Sequence, residues 1–207
     1  MRRAASVVGI DLTASTRKES AVALLHRGRA SIEWLGPDHE IVGRVTAITP
    51  RTVAIDAPLS WPGQRNSLRE CDREVRRLGV GILPPTLGPM RLLTTRAIAL
   101  TEALRSNAVP VIETYPRAVH RLMGWVGRGG RPGARELGYL FKALRLRLEC
   151  EVNEHVIDAL TCAWVACLYL RNETVELGDP KEGTISLPRA CLTPSTRSPR
   201  TSRRIRS

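Results

Sequence analysis

Val7-Val8-Gly9-Ile10-Asp11 is a short apolar run that stops at a carboxylate, and a run of this length bounded by turn signals reads as a buried strand. The construction returns as Val53-Ala54-Ile55-Asp56 and as Val109-Pro110-Val111-Ile112-Glu113. Each is a strand with an acid at its C-terminal end. In open sheets with parallel strands, ligands collect outside the carboxyl ends of the strands, so acids placed there can converge on one point. Carboxylates held close together disfavour ionisation unless a cation offsets them. A divalent metal is the simplest compensation.

Working outward from the first strand, a polar turn over residues 13–18 leads to two more strands, 20–25 and 30–35, joined across Arg27-Gly28-Arg29. Three antiparallel strands therefore open the chain. Pro37-Asp38 starts a helix that runs to about Val45, since proline suits a first helical turn. The strand at 52–56 then arrives by a crossover and is expected to lie parallel to the first. Residues 57–63 forbid regular structure. A basic amphipathic helix is predicted over 66–78, with Arg69, Arg73, Arg76 and Arg77 beside Glu70, Asp72 and Glu74, and with Arg65 just ahead of it. The Gly- and Pro-rich segment 79–89 is long and irregular, and such a segment inside a compact domain is more often functional than filler.

Apolar spacing predicts a helix over 90–105, and Pro110 puts the third acid-tipped strand at a sheet edge or delays its pairing. Helices follow at 117–125 and 134–150, separated by a basic loop at 127–133. The helix at 154–170 is apolar nearly all round, which marks a buried helix. Asp158 lies in its first turns, and ionised carboxylates are almost never buried without a partner. A metal, an arginine or the positive end of the helix dipole would each compensate it. His155, one turn earlier, stands on roughly the same face. Residues 174–179 and 183–188 pair as a terminal hairpin. This order of elements predicts an α/β, RNase H-like mixed sheet: three antiparallel strands, then parallel strands, flanked by helices.

The chain of 207 residues suits one domain with a sizeable core, placed at residues 1–190. Residues 191–207 read as a disordered basic tail, with Arg197, Arg200, Arg203, Arg204 and Arg206 among Ser, Thr and Pro and no acid. Those five arginines account for part of the net charge of +12 and leave +7 for the body. A basic body favours polyanionic partners over acidic small molecules, so nucleic acid, DNA or RNA, is the expected partner. The 5 cysteines are odd in number and contain no C-x-x-C pair, which indicates neither a disulfide framework nor a zinc site. Met1-Arg2-Arg3 runs almost directly into the first strand, with no room for a signal peptide, and no apolar run reaches membrane-spanning length. A cytoplasmic location is expected. Trp34, Trp61, Trp125 and Trp164 form no interleaved aromatic and basic stripe, so base stacking is not supported by the sequence.

Five motifs in order now bear on kinship: Val8-Gly9-Ile10-Asp11-Leu12-Thr13, Ala54-Ile55-Asp56-Ala57-Pro58-Leu59-Ser60, Arg69-Glu70-Cys71-Asp72-Arg73, Glu113-Thr114-Tyr115-Pro116 and His155-Val156-Ile157-Asp158-Ala159. Together they resemble the family called predicted nucleases of the RNase H fold, domain of unknown function 429. The match extends to Gly178-Asp179-Pro180 and Glu182-Gly183. The resemblance implies a fold like that of ribonuclease H and the Holliday-junction resolvases, with Asp11, Asp56, Glu113 and Asp158 binding two divalent ions, Mg2+ or Mn2+. Phosphodiester hydrolysis needs an activated water and a stabilised leaving oxygen, which two hard cations about 4 Å apart supply. Asp11, at the centre of the sheet, is assigned to bridging. Arg69, Asp72, Arg73, Arg76, Thr13 and Tyr115 are the candidate substrate-binding residues, the arginines because guanidinium forks hold phosphate. For the arginine-rich helix, a solvated face closed by internal ion pairs is the competing reading. His155 is a candidate proton shuttle, against a structural role.

The expected function is thus a metal-dependent nuclease. Two readings of other classes stand beside it: a non-catalytic nucleic-acid-binding module, and a nucleotide phosphohydrolase or phosphotransferase of the related actin-like fold. For the last, such proteins use two domains of this kind and glycine-rich phosphate loops, for which this sequence has neither the length nor the motifs.

Overall fold

The structure, a computed structural model, describes residues 6–27, 29–63, 66–125, 138, 140 and 151–192. Arg65, the loop at 127–133, the tail beyond Leu192 and, apart from helical Gly138 and Leu140, the helix expected at 134–150 lie outside the described residues.

Five strands form one sheet: β1 (Val7–Asp11), β2 (Ser20–His26), β3 (Arg29–Leu35), β4 (Thr52–Asp56) and β5 (Val111–Thr114), in the order β3-β2-β1-β4-β5. β1, β2 and β3 pair antiparallel, while β4 pairs parallel to β1 and β5 parallel to β4. This is the RNase H-like arrangement expected from the sequence. β5 is an edge strand, and it starts at Val111 because Pro110 has no N–H to pair. The Pro110 carbonyl still accepts a 2.8 Å bond from the Val53 N–H.

Successive side chains on a strand face opposite ways, and this chain uses the alternation to build two cores. On one face Val8, Ile10, Val22, Val53 and Ile55 pack with residues of α1 (Asp38–Ile48) and α3 (Gly88–Ser106). On the other, Ala21, Ala23 and Ala54 meet a long buried helix, α5 (Glu154–Tyr169), with α2 (Glu70–Arg77), α4 (Pro116–Leu122) and a two-stranded hairpin of β6 (Thr174–Asp179) and β7 (Gly183–Pro188) packed around it. The hairpin has the predicted bounds. The second face is small-residued for a reason. A side chain on Gly9 would overlap the Ala159 carbonyl oxygen and the Ala163 nitrogen, so α5 lies directly on the β1 backbone there. Asn153 starts α5 by accepting a 3.0 Å bond from the Val156 N–H.

α2 is shorter than the predicted span of 66–78. Arg69 sits outside it in extended backbone, φ −74° and ψ 166°, as the residue that caps it, and the Asp72 carboxylate accepts the Arg69 backbone N–H at 2.9 Å. No described helix is long and apolar enough to cross a membrane.

Candidate metal centre

Strand register sets the centre of the site. Asp11 stands opposite Asp56 on β4 and opposite Ala21 on β2, Ala21 stands opposite Trp34 on β3, and Asp56 opposite Thr114 on β5. Residues in such a row share a face of the sheet, with strands about 4.8 Å apart. α5 lies over that face and adds Asp158 one turn inside its N-terminus, where the helix dipole favours an acid. One oxygen from each of Asp11, Asp56 and Asp158 lies within 4.8 Å of the other two. Residues distant in the chain thereby meet at the carboxyl ends of two parallel strands.

Each of the three carboxyls is pushed above its ordinary range. Burial is the largest cause for all of them. For Asp56 the charges of Asp158, Asp11 and Glu113 add to it. Asp158 is pushed up to about 7, first by burial and then by Asp11. At Asp11 the rise is opposed by His155, whose Nδ1 lies 2.6 Å from Asp11 Oδ2 and whose ring is half exposed at the mouth of the site. On the inner side, His120 Nδ1 lies 3.7 Å from Asp158 Oδ1, and His120 Nε2 lies 2.8 Å from Thr161 Oγ1. Among the described residues no arginine is paired with these three crowded, half-desolvated carboxylates, and they are an all-oxygen donor set that suits a hard divalent cation. Asp11, Asp56 and Asp158 would hold it.

Glu113 does not join them, contrary to the sequence expectation. It stands opposite Ile55 rather than Asp56, and a one-residue offset in register turns a side chain to the other face. There it receives the Arg69 guanidinium at 2.6 and 2.7 Å and the Leu59 N–H at 2.8 Å. Arg69 and Asp72, expected at the substrate, are placed in this same cluster. Both are wholly buried: Arg69 Nη2 reaches Asp72 Oδ1 at 2.8 Å, Nε reaches Asp72 Oδ2 at 3.1 Å, and Nη1 donates to the Ser60 hydroxyl. Burial works against the Arg69 charge, but Glu113 and Asp72 outweigh it and hold the guanidinium above its ordinary value. The cluster ties α2 and the loop after Asp56 to β5.

The remaining candidates are also placed. Arg73 pairs with Glu70 inside the helix and bonds the Leu68 carbonyl, and Arg76 bonds the Ile82 carbonyl beyond the helix. The Thr13 hydroxyl donates to the Ser15 and Lys18 carbonyls and so shapes the turn after Asp11. Tyr115 donates to the Gly81 carbonyl at 2.9 Å and lines a cavity beside Asp11 and Asp56. Arg96, which the sequence did not single out, grips the Thr13, Ser15 and Gly36 carbonyls and Asp38, fixing the same turn from α3.

A mixed sheet of this order, with acids ending β1 and β4 and a third on a helix laid across them, defines an RNase H-like domain with a candidate metal centre. The family described as "Protein of unknown function (DUF429)" matches residues 9–182, and the chain belongs to it. Among solved structures the chain is similar to Thermus thermophilus RuvC, at 19% identity and a TM-score of 0.42 over 81% of this chain and 96% of that one. Its complex with a Holliday junction substrate gives 19% and 0.43 over the same shares. The yeast mitochondrial Holliday junction resolvase Ydc2 gives 13% and 0.44 over 78% of this chain and 77% of that one. No curated protein matches the sequence.

Proposed function

We propose that this protein is a metal-dependent nuclease that hydrolyses phosphodiester bonds with Asp11, Asp56 and Asp158 as the ligands of two Mg2+ or Mn2+ ions. The observation that carries the reading is the meeting of these three carboxylates within 4.8 Å on a half-buried floor. Burial first, and the neighbouring acids after it, raise their affinity for protons, and a cation among them would offset both. Held by these residues, divalent ions would supply an activated water and charge neutralisation at the leaving oxygen. The chain's own groups do the rest. Asp11, between Asp56 and His155, would hold metal from the centre of the set. Its bond to His155 Nδ1 fixes the carboxylate's rotation and leaves the imidazole at the solvent mouth, where it can hold a proton for the reaction. The net charge of +12 supports a polyanionic substrate.

A second reading, a nucleotide rather than a polymer as substrate, is favoured by the cavity beside the acids. It measures about 130 Å³ and is walled by Leu12, Pro58, Ile82, Met90, Leu93 and Tyr115. A cavity of about 150 Å³ admits a benzene-sized ring, so this one would receive the edge of a base and not a whole nucleotide. The test of both is one panel: single-stranded, duplex and branched DNA and RNA, and free nucleotides, incubated with Mg2+ or Mn2+ beside Asp11→Asn. Metal-dependent cleavage of a polymer that the substitution abolishes supports the nuclease. Turnover of nucleotides alone supports the second reading, and cleavage that survives the substitution rejects the site.

A further inference from the structure

Trp34 ends the row of residues that runs across the sheet through Asp11 and Asp56, on the α5 face. Ala30 and Ile32, which share that face by alternation, pack against the core around α5, whereas Trp34 lies beyond it and stays 37% exposed. Its ring receives the His155 imidazole edge-on, with centroids 6.3 Å apart and planes at 83°. That same imidazole is bonded to Asp11 at 2.6 Å. Two strand spacings put Trp34 about 10 Å from Asp11 along the row. One nucleotide, from its phosphate to the outer edge of its base, bridges such a distance. Positive charge is at hand: the turn that bears exposed Arg17 and Lys18 is held to Gly36, two residues past Trp34, by Arg96.

We propose that Trp34 is a stacking platform for a nucleobase next to the scissile phosphate, and that the substrate is therefore unpaired nucleic acid. The inference rests on the nuclease reading and sharpens its substrate class. A base within a duplex has both faces covered by its neighbours and cannot lie on an indole. An unpaired base can, and stacking is tolerant of sequence because every base has a π face. His155 then has two partners, the Asp11 carboxylate and the platform, so it sets one against the other.

The experiment compares a fluorescent 12-residue oligothymidylate with an abasic phosphodiester of the same length and charge, both titrated into the full chain carrying Asp158→Asn to suppress cleavage. The oligothymidylate is expected to bind about 5- to 150-fold more tightly. Trp34→Leu, which keeps apolar bulk without an aromatic face, removes that preference and leaves the abasic affinity and the thermal midpoint unchanged; Trp34→Phe restores most of it. Equal affinity for the two oligomers, or a preference that survives Trp34→Leu, overturns the platform while leaving the nuclease reading intact. Failure of both oligomers to bind overturns the platform and the nucleic-acid reading together.

Discussion

Arg69→Met isolates what the buried ion cluster contributes. The arginine is 0% exposed and makes four bonds of 2.6 to 3.1 Å to Asp72 and Glu113. Methionine keeps much of the apolar stem but leaves two carboxylates buried without a cation. Removing one partner of a buried pair costs roughly 3–5 kcal/mol. For a chain of this size each kcal/mol lowers Tm by about 2–4 °C, so the expected drop is roughly 6–20 °C. Urea unfolding checks it: the midpoint falls and the slope stays the same. The sign with pH follows from Glu113, which burial already lifts above 4.5 while Arg69 opposes the rise. Without Arg69 it rises further. An acid whose folded pKa is raised contributes stability that is full below the unfolded pKa and is lost as pH rises through the folded one. The variant's deficit is therefore largest at high pH and shrinks on acidification towards pH 4.5, the unperturbed value for Glu113. Replacing Arg69, Asp72 and Glu113 together by apolar residues recovers much of the loss. A deficit under about 0.5 kcal/mol at alkaline pH, or one that does not change with pH, refutes the reasoning.

The other expectations concern the acids and their supports. With divalent ions chelated, stability falls as pH rises from about 4 to about 7, because Asp158 moves from 3.8 up to about 7 on folding and Asp11 and Asp56 are raised beside it; Asp158→Asn makes that slope shallower without abolishing it, as calorimetry across pH will show. Gly9→Ala drives α5 off β1 and costs about 1–3 kcal/mol or more, and it weakens Mn2+ binding beyond what its stability loss explains, measured by titration calorimetry on the folded protein. His155→Ala frees the Asp11 carboxylate and lowers metal affinity or turnover about 10- to 100-fold, with the thermal midpoint little changed because the ring is half exposed.

What the sequence revealed and what it hid divide along chain distance. Val7-Val8-Gly9-Ile10-Asp11 shows its strand through local pattern alone, and the buried acid of Asp158 is anomalous on its own helix. Their meeting follows from strand order, which crossover rules supply. The partner of Glu113 was not legible: Arg69 lies 44 positions away in the chain, and the one-residue register offset that turns Glu113 from the acids exists only once β4 and β5 are paired. Arg69 and Asp72 look like a charged helix face until the cap places them indoors. Trp34 fits no stripe in the sequence because its neighbours at the site, Asp11 and His155, come from β1 and α5. Register and helix docking bring them together, and periodicity reads neither.

A crystal soaked in Mn2+ and measured at the manganese absorption edge tests the centre itself. The account predicts anomalous density between the carboxylates of Asp11, Asp56 and Asp158, with Glu113 still held by Arg69. Density elsewhere, or carboxylates that remain apart and empty at saturating Mn2+, contradicts it.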